Sequence, residues 1–305
     1  MVHHPDRRSG GAAGERSFRK RISVHSGGIL SRQHRAHCPE NDRRVPGQTL
    51  RGGFDRRHGV ADHGASRRPA AKIQLAAACR YPAELKDAQG FWGATNLYFF
   101  ATGYNARMVK ANEVPKTYED LLNPRWKGQM MWSTSRGSGA PMFVGTILNT
   151  MGNEAGKAYL QKLKLQNVGK TSASNRQVLD LTIAGEYPLA LQIFNHHAFI
   201  SKSAGAPVDW QVHEPATATI NNIGLGKFAS HPHAAMLLID FILSEKGQRV
   251  YQQSNYLPAH PKVPAKQADL KPGGGRFKRA FYVNPDQQYD KGNDWAEYFE
   301  NLFMK

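Results

Sequence analysis

Hydrophobic and polar positions follow two alternating periods from Tyr81 onward. The aromatic run from Asn96 to Thr102 and the apolar run from Leu189 to Phe194 have the composition and length of strands. Residues 153–166 instead place four apolar side chains at near-helical spacing. Strands and helices that alternate at these lengths predict an α/β protein.

Helix boundaries are marked by capping and breaking residues. Ser174 precedes an apolar-periodic stretch that Gly185 ends, which predicts a helix capped near Ser174. The His-Pro pair at 231–232 opens two amphipathic helices with a break near 245–247. These helices follow the strand-rich segment 205–226, so the alternation continues towards the C-terminus.

The segment between the first two predicted strands is less regular. A short helix is predicted to open near Pro115 and Thr117, followed by a loop at residues 123–124 and a strand that ends at Trp132. The polar, glycine-containing loop 133–141 then leads into an apolar helix.

The first 80 residues differ in composition from the rest. They hold 15 Arg and 2 Lys against 6 acidic residues, whereas residues 81–305 hold 24 basic and 18 acidic ones. Much of the formal net charge of +17 therefore lies in a segment with almost no periodicity. Three interpretations stay open: a disordered basic tail, a nucleic-acid-binding arm, and a frame artefact of GC-rich coding DNA, which is favoured.

The positions of the cysteines and the hydropathy of the chain narrow the class of protein further. Both cysteines, Cys38 and Cys79, lie in the first segment without zinc-site spacing around them. No run of 18 apolar residues occurs, so no membrane-spanning helix is predicted. The start of the chain has charge but no apolar core, so no signal peptide is visible.

Loop 133–141 is the first candidate for binding chemistry. A loop of Ser, Gly and Ala before a helix presents unpaired N–H groups and hydroxyls to an anion, with Ser138, Gly139 and Ala140 nearest the helix start. It lacks the P-loop and dinucleotide-binding signatures. From the loop alone, a plain Ser-capped helix is favoured over an anion site.

Two more loop-to-helix junctions carry polar groups. From the residues alone, Asn175 is favoured as a plain N-cap over a ligand contact. His196 and His197 are candidate ligands for Zn, Cu, Ni or Fe(II), because neutral imidazole binds these metals. No nearby spacing completes a metal site, so a polar turn is favoured. No catalytic motif emerges, which favours binding over enzymatic activity.

Seven segments together are similar to a known family. They are "TGYN" at 102–105, "PKTYEDLLNPRWKGQM" at 115–130, "SGAP" at 138–141, "AGEYPLAL" at 184–191, "FNHHAF" at 194–199, "LLIDFILSEKGQRV" at 237–250 and "YLPAHPKV" at 256–263. In order and spacing, residues 81–264 resemble the periplasmic solute-binding proteins of ABC importers, of the ferric-iron-binding type.

This resemblance implies a two-lobe periplasmic-binding-protein fold of type II, an α/β fold whose hinge strands join two lobes around a cleft. It places a remnant of the first lobe and the first hinge strand at 81–104, and a second α/β lobe at 105–217. The return hinge and the C-terminal helices of the first lobe follow at 218–305. Nothing in residues 1–80 matches the family, so the first lobe is expected to be incomplete or replaced by the Arg-rich segment.

The resemblance also implies site residues. In ferric-binding relatives, two helix starts hold a synergistic anion and an Asn-Tyr-Tyr stretch gives the metal two phenolates. The residues that match the anion site and the asparagine are Ser138, Gly139, Ala140, Asn175 and Asn195. His196 and His197 stand where the relatives have Tyr-Tyr. Neutral imidazole leaves the charge of Fe(III) uncompensated, so another metal or a small anionic organic ligand fits equally well.

The implied function is a non-enzymatic substrate-binding component of an ABC transporter, monomeric and periplasmic. It would deliver iron or another metal ion with an anion, or a small anionic solute, to the permease subunits. Two alternatives stay open: a nucleic-acid- or acidic-surface-binding protein acting through the Arg-rich arm, and a nonfunctional truncated or frameshifted product. Ligand-dependent thermal stabilisation would favour the hypothesis of a transporter component. Salt-sensitive DNA binding would favour the nucleic-acid alternative.

Overall fold

A computed structural model describes residues 70–71, 78–135 and 138–305. The strands are β1 (Ala70–Ala71), β2 (Gly93–Asn105), β3 (Met130–Ser133), β4 (Gly169–Thr171), β5 (Leu189–Phe194), β6 (Val208–Gln211), β7 (Ala216–Ile223), β8 (Leu225–Gly226), β9 (Leu257–Pro258) and β10 (Ala280–Val283). The α-helices are α1 (Gly139–Met151), α2 (Asn153–Lys164), α3 (Asn175–Ala184), α4 (Asn195–Ser203), α5 (Pro232–Leu243), α6 (Glu245–Gln253) and α7 (Pro285–Phe299).

The long strand β2 takes part in two groups of strands. Up to Phe99 it pairs antiparallel with β7, and from Phe100 it pairs antiparallel with β5 and β6. The strand order is β10-β7-β2-β5-β3-β4, with β6 and β9 also paired to β2. Both groups of strands are therefore joined through one continuous backbone.

Strands β3, β4 and β5 set the position of three helices. They run parallel to one another, and each is followed in the chain by a helix: α1 after β3, α3 after β4 and α4 after β5. The carboxyl ends of parallel strands meet at one edge of a sheet. The three helices consequently begin along the same edge.

Two apolar cores pack around the strands. Phe99 and Ile193 lie in one core, and Phe100, Trp132 and Phe143 lie in the other. Neighbouring residues of a strand point to opposite faces, which explains why Phe99 and Phe100 belong to different cores. Full burial of each such side chain stabilises the fold by roughly 1.5–3 kcal/mol.

The elements marked by capping or breaking residues are confirmed. Helix α3 follows its N-cap Ser174 and ends at Gly185, which adopts a left-handed φ of 92°. Strand β5 has the predicted bounds, Leu189–Phe194. The break between α5 and α6 lies at Ser244, directly before the predicted one.

The short helix predicted near Pro115 and Thr117 is wrong in type and position. A 3₁₀ helix forms instead at Glu119–Leu122. The predicted loop is confirmed at Asn123, which is extended, and a second 3₁₀ helix begins directly after it at Pro124–Trp126. The Asp120 carboxylate accepts the N–H groups of Lys116 and Thr117, each at 2.9 Å. Local side-chain bonds of this kind compete with a full α-helical turn.

The last helix, α7, packs along α1. The Trp295 indole lies against Gly145, where a Cβ would come within 2.6 Å of the ring. This helix thus contacts the segment predicted as the second lobe, whereas the resemblance assigns it to the first; the lobe boundaries stay predictions. The described residues contain no helix that is both long and apolar enough to cross a membrane. The predictions for residues 1–69 lie outside the described residues.

Candidate functional site

The starts of α1, α3 and α4 form the candidate site. The loops that lead into α1 and α3 are joined by Thr134, whose N–H and hydroxyl both donate to the Thr171 carbonyl, at 2.8 and 3.0 Å. Each helix start has backbone N–H groups without a partner inside the helix and carries the positive end of the helix dipole. An edge with three such starts favours an anion.

Ser138 caps α1, as the loop chemistry favoured. Its hydroxyl donates to the Ser133 carbonyl at 2.8 Å and accepts the Ala140 N–H at 3.4 Å. The side chain is only 3% exposed. Its hydroxyl is therefore committed to the protein, and the donors for a ligand have to come from the backbone.

Gly139 supplies such a donor at α1. The third residue of the helix is Pro141, which has no N–H, and the Ala140 N–H already donates to the Ser138 hydroxyl at 3.4 Å, so the Gly139 N–H is the donor that the first turn offers to a ligand. A Cβ at position 139 would lie 2.5 Å from the Phe100 ring and 2.9 Å from the Gln192 Cβ. Glycine is needed here because β2 and β5 approach the helix so closely.

The N-cap interpretation of Asn175 is wrong, because Ser174 caps α3. The Ser174 hydroxyl accepts the Gln177 N–H at 3.3 Å, and the Gln177 side chain accepts the Ser174 N–H at 2.9 Å. This reciprocal pair is a capping box. Asn175 is the first residue of the helix and half-buried, and its side chain forms no hydrogen bond within the described part of the chain.

Asn195 connects α4 to a distant segment. Its side chain is fully buried, and its Nδ2 donates to the Leu270 carbonyl at 2.9 Å. Its Oδ1 has no partner among the described residues. The structure gives this asparagine a structural contact, in addition to its place at the start of α4.

His196 and His197 lie in the first turn of α4, and Asn195 separates them from the end of β5. The His196 side chain is 4% exposed, and its ring stacks on Phe194 at 5.6 Å and packs on Tyr98 at 5.4 Å. His197 is half-buried, and its ring lies 4.4 Å from that of His196. The two imidazoles thus share one aromatic environment.

Both histidines are held neutral. Burial, with a smaller contribution from His197, lowers the pKa of His196 to about 3. Burial also lowers the pKa of His197, and the nearby Arg176 adds to this effect while Asp180 opposes it. The Nδ1 atom of each ring has no partner among the described residues. A neutral imidazole can accept a hydrogen bond or bind a metal ion through such a nitrogen.

Sequence reasoning missed Tyr98 and Gln192 as residues of this region. The Tyr98 hydroxyl accepts a hydrogen bond from the Asn221 amide at 3.2 Å, and burial raises the pKa of Tyr98. Gln192 lies beside Gly139, with a positive φ of 55°. The aromatic run of β2 was the only signal for Tyr98, and the sequence around Gln192 is that of a regular strand.

The donor set of the described residues fits an anion better than a bare ferric ion. No cluster of three or more His, Cys, Asp or Glu able to hold a metal occurs among these residues. The histidine pair offers two neutral nitrogen donors, and the Asp180 carboxylate that acts on His197 is paired with Arg176. Fe(III) prefers hard, anionic oxygen ligands.

A family model of the bacterial extracellular solute-binding proteins matches residues 68–278, well over half of the chain. The chain belongs to this family. The match begins before and ends after the segment 81–264 on which the resemblance was recognised, so the ferric-binding-protein-like assignment is confirmed at the level of the family.

Two curated relatives carry names that refer to different solutes. Iron uptake protein A1 of Synechocystis sp. is 24% identical over 186 residues, which cover 57% of this chain and 51% of that protein. The putative 2-aminoethylphosphonate-binding periplasmic protein of Salmonella typhimurium is 28% identical over 203 residues, 61% of this chain and 57% of that protein. The chain thus spans about half the length of these relatives.

A solved structure of the same type shows the fold. Iron-bound HitA from Pseudomonas aeruginosa superimposes with a TM-score of 0.64 at 22% identity, covering 76% of each chain. The predicted α/β fold of the type II periplasmic binding proteins is therefore confirmed.

Proposed function

We propose that this solute-binding protein is the substrate-binding component of an ABC importer and captures a small anionic solute at the starts of α1, α3 and α4. The observation that supports the proposal most is the alignment of three helix starts along one sheet edge, next to a neutral histidine pair. The helix starts supply N–H donors and positive potential. The imidazoles supply hydrogen-bonding groups that bring no charge of their own.

Binding without catalysis is part of the proposal. The Ser138 hydroxyl is engaged in the α1 cap, so it is unavailable as a nucleophile. The exposed ion pair that acts on His197 is formed by Arg176 and Asp180, whose Nη2 and Oδ1 atoms lie 2.7 Å apart. These groups hold and orient a ligand, and none is arranged as an acid, base and nucleophile set. Delivery to permease subunits in the periplasm completes the function.

A metal ion bound together with its anion is the second candidate ligand. Two adjacent imidazoles with unpartnered Nδ1 atoms support it, as does the iron-related name of a relative. The Asp180 carboxylate, which acts on His197, is paired with Arg176, and this favours a softer cation such as Zn²⁺ or Fe²⁺ over Fe(III), unless the anion supplies the charge. Of the two candidate ligands, only the metal ion requires the Nδ1 atoms of His196 and His197 at the same time.

Thermal unfolding of the full chain with single probes tests the proposal. The probes are inorganic phosphate, 2-aminoethylphosphonate, citrate, ferric citrate, Fe²⁺ and Zn²⁺. An anion held at the helix starts should raise the melting temperature, since a ligand at 100 times its Kd stabilises the folded state by about 2.7 kcal/mol. If no probe raises the melting temperature, the proposal fails.

A pair of proline variants locates the binding site. Ala140→Pro removes the N–H that donates to the Ser138 cap, in the first turn of α1 where helices tolerate proline, and this loss of the capped helix start should abolish the stabilisation by phosphate-type probes. Lys246→Pro makes the same change at the second position of α6, away from the proposed site, and should leave the stabilisation intact. Equal responses from the two variants would argue against the α1 start.

A further inference from the structure

Gln192 has a backbone conformation that is unusual for its residue type and position. Its φ is +55°, in the left-handed region, although it lies within β5. The other non-glycine residues with positive φ in the described part are Asn167 and Asn255, and asparagine tolerates this region well. A strained residue in the middle of a strand points to a functional constraint.

A β-bulge accompanies this conformation. Ala101 of β2 pairs with Ile193, and Gly103 pairs with Ala190, so two residues of β5 lie opposite the single residue between them. A bulge re-aims one side chain out of the regular alternation. In a regular strand Gln192 and Leu191 would point to opposite faces of the sheet. Leu191 lies in the same apolar core as α1, yet the Cβ of Gln192 also lies on that side, 2.9 Å from a Cβ built on Gly139. The bulge therefore turns Gln192 towards the start of α1.

The carboxamide of Gln192 is buried without a complete set of partners. The residue is 7% exposed, and its Oε1 has no hydrogen-bond partner among the described residues. The donors of the α1 start are close by, yet they do not bond to this oxygen. A buried, unpaired amide oxygen is unfavourable, and here it coincides with an unfavourable backbone angle in the same residue.

We infer that Gln192 determines ligand specificity at the α1 start, with its Oε1 accepting a hydrogen bond from a donor group on the bound anion. This inference rests on the proposed function and narrows its ligand class. The N–H groups of the α1 start hold the negatively charged group of the ligand, while the Gln192 Oε1 adds a hydrogen-bond acceptor beside these donors. The matching ligand is a small phosphonate, phosphate or carboxylate that also carries an ammonium, N–H or hydroxyl group.

Two ligands that differ only in a hydrogen-bond donor measure the contribution of the Gln192 Oε1 to affinity. 2-Aminoethylphosphonate and ethylphosphonate share the anion, and only the first carries the ammonium donor. Isothermal titration of the full chain should give a Kd at least about tenfold lower for 2-aminoethylphosphonate, which corresponds to about 1.4 kcal/mol. In Gln192→Met, which keeps the length of the side chain and removes the carboxamide, the ratio should fall to about twofold or less.

Gln166→Met is the matched control variant. Gln166 is also 7% exposed and also has an Oε1 without a partner among the described residues. It lies by the amino-terminal ends of the parallel strands, where its carbonyl accepts the Gly128 N–H at 2.8 Å. The substitution should change thermal stability and leave the ratio of the two Kd values intact.

Gln192→Gly separates a structural role from recognition. Glycine adopts a positive φ without strain, so this variant should keep or raise the melting temperature while it loses the preference for the ammonium ligand. A purely structural glutamine would leave the preference unchanged.

The outcomes distinguish the inference from the proposed function. Equal binding of the two ligands by the wild type, or an unchanged ratio in Gln192→Met, overturns the role of Gln192 and leaves anion binding in place. If the wild type binds neither these ligands nor any of the earlier probes, the proposed function fails, and the inference fails with it.

Discussion

The imidazole of His196 lies 4.4 Å from that of His197, between ring centroids, and both rings pack on Phe194. Successive helical side chains diverge by about 100°, so they rarely share a neighbour. Phe194 directly precedes α4, which lets its ring contact both. A proton on either imidazole would repel a proton on the other, and burial disfavours both charges. The pair therefore acts as a neutral unit whose protonation is coupled to folding.

Acid stability should depend on His196. Its pKa of about 3 in the fold lies below the ordinary value of 6.5, so the neutral form stabilises the fold above pH 6.5 and this contribution is lost as the pH falls towards 3. The loss amounts to as much as about 1.4 kcal/mol per pH unit in that window. Urea unfolding at pH 7 and pH 4.5 should show a smaller drop in His196→Phe, which keeps the aromatic stack.

Two further histidine variants control this experiment. His233 is exposed on α5, so His233→Gln should leave the acid dependence as in the wild type. His213 is buried, its ring bonds to the Pro115 carbonyl, and burial lowers its pKa to about 4. His213→Gln should therefore remove another part of the acid dependence. A wild-type acid dependence in His196→Phe contradicts the assignment of His196 as a buried neutral group.

Gly139→Ala should destabilise the protein and disturb the anion site together. The new methyl group would lie 2.5 Å from the Phe100 ring, so the helix start or the strand has to move. Overpacking of this kind costs about 1–3 kcal/mol. Denaturant unfolding measures the loss, and Gly226→Ala serves as the control because nothing lies within 4 Å of its added Cβ. Equal stability of the two variants would contradict the close approach at Gly139.

Ser138→Ala should weaken both the fold and anion binding. Its hydroxyl caps α1 through the Ala140 N–H, and loss of an N-cap costs about 1 kcal/mol. Ser244 caps α6 in the same manner, accepting the Gly247 N–H at 3.3 Å. Ser244→Ala should cost similar stability in thermal unfolding. Only Ser138→Ala should also weaken phosphate binding in titration, and a parallel loss in Ser244→Ala would show that the effect is merely global.

An exposed apolar face on α5 should bind a hydrophobic dye. Leu237, Leu238 and Phe241 are 71%, 53% and 51% exposed, and Leu237 and Phe241 lie one helical turn apart. Contiguous exposed apolar side chains mark interaction surfaces. The double variant Leu237→Gln/Phe241→Gln should reduce the fluorescence of an environment-sensitive dye several-fold. Leu165 is 70% exposed but lies just after α2, so Leu165→Gln should leave the fluorescence unchanged.

The sequence allowed prediction wherever a single residue type enforces a local conformation. Ser174 and Gly185 mark the ends of α3 because a hydroxyl cap and a left-handed glycine are local requirements. The bounds of β5 follow from its run of apolar residues, which only Gln192 interrupts. The α1 start was found because its composition, Ser-Gly-Ala, is that of a capped helix that closely approaches its neighbours.

The remaining features depend on specific side-chain bonds or on contacts that are distant in sequence, and neither appears in the hydrophobic pattern. The 3₁₀ helix at Glu119–Leu122 replaces an α-helix because the Asp120 side chain captures two backbone donors. The bulge at Gln192 arises from the register between β5 and β2, and no residue type within β5 predicts it. The contact of Tyr98 with His196 joins positions almost a hundred residues apart. Such pairings are set by the tertiary fold, so the pattern of one strand or helix cannot reveal them.

The continuity of β2 has a mechanical consequence. Its backbone changes partners between Phe99 and Phe100, from β7 on one side to β5 on the other. Rotation of one strand group against the other would place torsion on the few dihedral angles around this peptide unit. Amide hydrogen exchange at Phe99–Ala101 would then report ligand capture directly, as a change in the rate at which this short stretch opens.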